Sequence, residues 1–102
     1  MTPKNASLPG NAKLESSDWK RIFSCRWSSK YQAVLARVKK ANGRPVAFET
    51  LRRVADRASD DGNGFFAYQY VNLTLRQAGQ SYVLRSLGTD RGGGPFQMQR
   101  KT

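Results

Sequence analysis

Histidine does not occur in this chain of 102 residues, and cysteine occurs once, at Cys25. Without histidine there is no side chain poised near neutral pH for general acid–base work, and the commonest metal ligand is missing. One cysteine can form no intrachain disulfide and cannot build a zinc site, which suits a reducing cytoplasm. The seven acidic residues are scattered, and no two are spaced like a catalytic pair. The chain is therefore expected to be no enzyme and to hold no cofactor or metal. Long apolar runs are also missing. None approaches the roughly 20 residues that span a bilayer, and no N-terminal stretch resembles a signal peptide's apolar region. The expectation is a cytoplasmic protein without a membrane partner, nucleoid-associated if bacterial.

Positive charge is abundant. Lys and Arg number 18 against 7 Asp and Glu, giving a net charge of +11. Such an excess raises self-repulsion in a small domain and points to a polyanionic partner. It is unevenly placed. Residues 1–18 are neutral. Residues 19–58 hold eleven basic residues against Glu49 and Asp56, a net +9, and residues 59–102 add only +2.

The length fits one domain. Residues 1–17, polar and carrying Pro3, Pro9 and Gly10, read as a flexible leader, 18–100 as the domain, and 101–102 as a tail. Asp18 to Trp27 is ambiguous. As a helix capped by Ser17 or Asp18 it aligns Trp19, Ile22, Phe23 and Trp27, and as a strand it alternates Phe23, Cys25 and Trp27; the helix is preferred. Ser28 to Ala41 reads as a helix with Tyr31, Val34, Leu35, Val38 and Ala41 on one face, stopped by Asn42-Gly43 and Pro45. Val46 to Ala58 reads as a second helix, with Phe48, Leu51, Val54, Ala55 and Ala58 inward. After the turn Ser59 to Gly64, a third helix is expected over Phe65 to Ala78, with Tyr68 inward, Tyr70 outward and Gly79 as its stop. Ser81 to Leu87 and Pro95 to Arg100 alternate as two strands of a hairpin around a glycine-rich tip. The fold class is mainly α with a small β-hairpin, a three-helix core plus a C-terminal wing.

Several features admit two readings. Trp19, Phe23 and Trp27 could stack on unpaired bases, or form core or a dimer surface. The second reading is preferred, with a homodimer through Trp19 to Trp27. Cys25 lies near Lys20, Arg21 and Arg26, which would favour a thiolate, but a lone cysteine reads better as a small buried apolar group. Asp60-Asp61-Gly-Asn-Gly resembles a fragment of a calcium loop without its closing acid. Gly92-Gly-Gly94 lacks the lysine of a phosphate loop and opens no helix.

Helix, turn, helix, turn, helix and a loose-tipped hairpin, over roughly residues 28–100, resemble the winged helix-turn-helix DNA-binding domain. The stretch Tyr68-Gln-Tyr-Val-Asn-Leu-Thr-Leu-Arg-Gln-Ala-Gly79 is similar to the end of that family's recognition helix. The chain departs from the family in its long turn before this helix and in the helix's single cation, Arg76. The resemblance implies that the helix over 65–78 enters the major groove and that the wing, about 81–100, lies along the backbone or minor groove. It implies base reading by Gln69, Tyr70, Asn72, Thr74 and Arg76, with Leu73 also facing outward, and wing contacts by Arg85 and Arg91. Gln and Asn match an adenine edge, Arg matches guanine, and Thr matches either base or a thymine methyl. Lys30, Arg37, Lys39, Lys40, Arg44, Arg52, Arg53 and Arg57 are the expected phosphate contacts. The resulting expectation is a small transcriptional regulator of duplex DNA. Two other functions stay open: an RNA or single-strand binder, or a small mobile-element inhibitor that docks on a host protein.

Overall fold

The computed structural model describes residues 10–88 and 93–101. Among these, four helices precede a two-stranded antiparallel hairpin: α1 (Ser16–Phe23), α2 (Ser29–Lys40), α3 (Phe48–Ala58), α4 (Tyr68–Gln77), β1 (Tyr82–Ser86) and β2 (Phe96–Arg100). A short 3-10 turn at Gly10–Ala12 comes before α1.

The ambiguous segment is helical, but shorter than expected. α1 begins after Glu15, whose N–H donates to Asp18 Oδ2 at 2.8 Å. It ends at Phe23, where Ser24 Oγ donates to Arg21 O. Trp27 lies beyond the helix and donates its indole N–H to Ile22 O at 2.9 Å. Trp19 and Ile22 are buried, and Phe23 and Trp27 pack against the same cluster. The core is thus built from four helices, and this segment is not the free surface expected outside a three-helix core. Two large apolar side chains one helical turn apart bury best against a neighbouring layer, each worth about 1.5–3 kcal/mol when fully buried.

α2 buries Val34, Leu35 and Val38, as its periodicity predicts. Ser28 sits at the N-cap, though its hydroxyl makes no capping bond. Asn42 (φ 54°) and Gly43 (φ 91°) turn the chain out of the helix, a conformation glycine tolerates without strain. The following helix starts at Phe48, not Val46. Val46 exchanges N–H and C=O with Phe96, both at 2.8 Å, and forms an antiparallel bridge to β2. A residue paired to a strand cannot also open a helix.

The helix expected over 65–78 is α4 alone. Phe65 and Phe66 lie in the extended lead-in, where successive side chains point opposite ways. Phe66 enters an aromatic cluster with Phe48 and Phe96, at centroid distances of 5.5 and 5.8 Å, while Phe65 is 67% exposed. At the far end Gly79 (φ 74°) stops the helix, and Gln80 N–H reaches back to Leu75 O at 2.9 Å.

The hairpin register pairs Tyr82 with Arg100, Leu84 with Met98 and Ser86 with Phe96. Tyr82, Leu84, Phe96 and Met98 face the core. Gln97 and Gln99, on the other face of β2, are buried as well. They are covered from the far side. Asn11 and Arg85 donate to Gln99 Oε1, Gln99 Nε2 donates to Gln97 Oε1, and Gln97 Nε2 donates to Gly43 O. From Gly10 onward the segment expected as leader packs on β2, with Ala12 buried.

Candidate nucleic-acid interface

The last turn of α2, the turn after it and the first turn of α3 enclose a groove of about 640 Å³. Arg37 and Lys40 reach it from α2, Arg44 from the turn, and Thr50 from α3. The local sequence accounts for this. Asn42-Gly43 reverses the chain, the Val46–Phe96 bridge holds its exit, and α3 then runs back along α2. Among the described residues, none of the three cations has an acidic partner within ion-pair distance. Ala47, at the α3 N-cap, makes no side-chain capping bond, and Glu49 stands in the first turn of the helix. Three unpaired cations around one polar groove repel each other and attract an anion together.

The other expected phosphate contacts lie elsewhere. Lys39 is exposed and lines a neighbouring groove with Lys40, Ala36 and Trp19. Arg57 is exposed near the end of α3. Arg52 and Arg53 share Glu49, at 2.7 and 3.7 Å, and the Arg52 hydrogen bonds hold the Glu49 carboxyl below its usual range. Lys30 donates its ammonium to Phe65 O at 2.7 Å. Among the described residues, Arg37, Lys40 and Arg44 converge on one groove, and Lys39 joins Lys40 on its neighbour.

α4 offers a different surface. Gln69, Tyr70, Leu73, Arg76 and Gln77 are exposed, with no carboxylate among them. Tyr70 is 47% exposed and leans on Tyr31, with ring centroids 4.9 Å apart. Thr74 is half-buried. Asn72 does not face outward. Its Nδ2 donates to Leu84 O at 3.1 Å, and Leu84 N–H donates to its Oδ1 at 2.6 Å. The side chain is a two-bond clamp between α4 and β1, so it is withdrawn from the expected base-reading set. Gln77 was missed, although the α-helical period from Gln69 and Leu73 leads to it.

On the hairpin, Arg85 is exposed with its Nε held by Gln99 Oε1 at 3.0 Å. Arg91 lies outside the described residues.

A buried ionic node ties α1 to the hairpin. Asp18 accepts from Tyr82 Oη at 2.7 Å and from Arg100 Nη2 at 3.0 Å, besides the Glu15 N–H. The Glu15 N–H is the strongest influence, with Tyr82 and Arg100 assisting. Together they outweigh burial and hold the Asp18 carboxyl at a pKa of about 2. Arg100 also donates to Gly10 O and Lys13 O, which secures the residues before α1.

Two further features have local explanations. Asp61 accepts the Asn63 N–H at 3.0 Å, and Asn63 Oδ1 accepts the Phe65 N–H at 2.9 Å, so this turn satisfies its own backbone. Burial pushes the Cys25 thiol above its ordinary pKa, as suits a packed apolar group better than a thiolate.

Compared with protein-family models, curated proteins and solved structures, the chain matches none.

Proposed function

We propose that this protein is a non-catalytic binder of duplex DNA, a winged helix-turn-helix-like regulator in which α4 meets base edges and the hairpin flanks it. The observation that carries this reading is the groove of Arg37, Lys40 and Arg44, three cations without acidic partners among the described residues, on a chain of net charge +11. The order of elements supports it too. α2, the Val46 bridge, α3, α4 and the hairpin follow one another as helix, short strand, two helices and wing. In this scheme the α2–α3 end holds phosphates and sets the position, while α4 faces the bases. The aromatic stretch Trp19 to Tyr31, which could stack on single strands, gives less support to the RNA alternative. Trp19 is buried, and Phe23, Trp27 and Tyr31 pack against the core.

Salt-dependent binding to random duplex tests the proposal. Neutralising about six phosphates gives a log–log slope near −5, and replacing the three groove cations should flatten it by about 3. A slope near zero for the native protein, or a slope unchanged by the triple replacement, would overturn it. Displacement of duplex by low concentrations of single strands or structured RNA would favour the RNA alternative. The exposed Phe65, Tyr70 and Leu73 favour protein docking as the second reading. That reading expects no duplex binding at moderate salt.

A further inference from the structure

We infer that the exposed face of α4 selects A·T base pairs, through Gln69 and Gln77 reading adenine edges and Leu73 seated against a thymine methyl between them. The inference rests on the duplex-binding proposal and names the substrate class of that same surface. Gln69, Leu73 and Gln77 follow at four-residue intervals and are all exposed, so they form one row along the helix. The row covers about 12 Å of helix axis, comparable with three to four base-pair steps of about 3.4 Å.

The chemistry of the row is selective. A glutamine amide offers one donor and one acceptor side by side, which matches adenine N6–H and N7. Leucine offers neither, but it can bury the C5 methyl that only thymine carries into the major groove. Leu73 is 39% exposed, in the middle of a helix whose other aliphatic side chains, Val71 and Leu75, are fully buried. Water gains nothing from an apolar group there, whereas a methyl-bearing groove does. Arg76 flanks the row and would suit a guanine at its edge.

The other surfaces fit a base-reading role less well. The exposed face of α3 carries Glu49 and Asp56 among Arg52, Arg53 and Arg57, and Glu49 already engages two of those arginines. Asn72, the strongest adenine reader by residue type, is locked onto Leu84. Tyr70 is braced against Tyr31 at the border of the face.

Selection from a random duplex pool, followed by titration of the selected duplex with its thymines replaced by uracil, tests this directly. Uracil differs only by the missing C5 methyl. The selected sites should hold A·T pairs within a window of about four base pairs. Uracil should weaken wild-type binding about fourfold, the effect of one buried methyl. Leu73→Ala, on the surface, should bind thymine and uracil duplexes alike. Gln69→Ala should cut the preference for adenine at one position by about tenfold. Enrichment of G·C pairs, equal wild-type affinity for both duplexes, or thymine preference surviving Leu73→Ala would overturn the inference. A protein that binds duplex with a steep salt slope but no base preference loses this inference and keeps the proposed function. A protein that binds no duplex loses both.

Discussion

The two halves of the molecule differ in how their polar groups are used. The α2–α3 end concentrates cations and leaves three of them unpaired around one groove. The second half carries less charge, a net +2 over residues 59–102, and uses many of its polar groups internally. Asn72 clamps β1, Gln97 and Gln99 fill the covered face of β2, and Asp18 gathers Tyr82 and Arg100. Charge that stays solvated can repel itself at modest cost, so it accumulates on exposed helix ends. Polar groups taken from water must find partners, so they become structural joints. In this chain a polar residue's type says less about its role than whether it is buried.

The largest effect should come from removing the unpaired charge. Arg37→Gln/Lys40→Gln/Arg44→Gln should lower affinity for all duplexes alike, by roughly a hundredfold at moderate salt. Fluorescence anisotropy over a salt series measures it. Equal losses from Arg52→Gln/Arg53→Gln, which act beside Glu49, would erase the distinction between paired and unpaired cations.

Next is Asn72→Ala. It leaves Leu84 N–H and C=O without their side-chain partners and should destabilise the fold by about 2–3 kcal/mol. A urea midpoint reads this. A stable Asn72→Ala variant with altered base preference would return this residue to the reading face.

Acid should loosen the same half by a slightly smaller amount. The Asp18 carboxyl is at about 2 in the folded chain against an ordinary 3.8. Because the folded value is the lower one, the node contributes its full stability well above pH 4. That contribution, about 2 kcal/mol, is lost as pH falls towards 2. Asp18→Asn should be less stable at neutral pH and show a shallower acid limb.

The smallest effect is expected at Lys30→Met. It removes one exposed contact to Phe65 O and should cost at most about 1 kcal/mol, leaving the salt slope nearly unchanged. A slope reduced as much as by a groove cation would show that Lys30 leaves Phe65 and joins the phosphate contacts.

Local pattern made much of this legible. Apolar spacing marked α2 and its stop at Asn42-Gly43, the Ala78-Gly79 end of α4, and the alternation of the hairpin. Periodicity also foresaw Tyr68 inward and Tyr70 outward. What it missed has a common cause, a partner far along the chain. Val46 looked helical because Phe96, its bridge partner, belongs to the last strand. Asn72 looked like a reader because nothing near it announces Leu84 as the end of its clamp. Nothing local announces the burial of Gln97 and Gln99, because their cover comes from Asn11 and Gly43.

By itself the sequence determined the amount and sign of the charge, the absence of histidine and of a second cysteine, and the rough positions of helices and hairpin. Composition and short-range periodicity act without reference to the rest of the fold. Only the tertiary structure decided which cations remain unpaired around one groove, that α1 belongs to the core, and which face of α4 stays open. Each of these depends on a contact between distant residues, made when burial forces a polar or apolar group to find a partner.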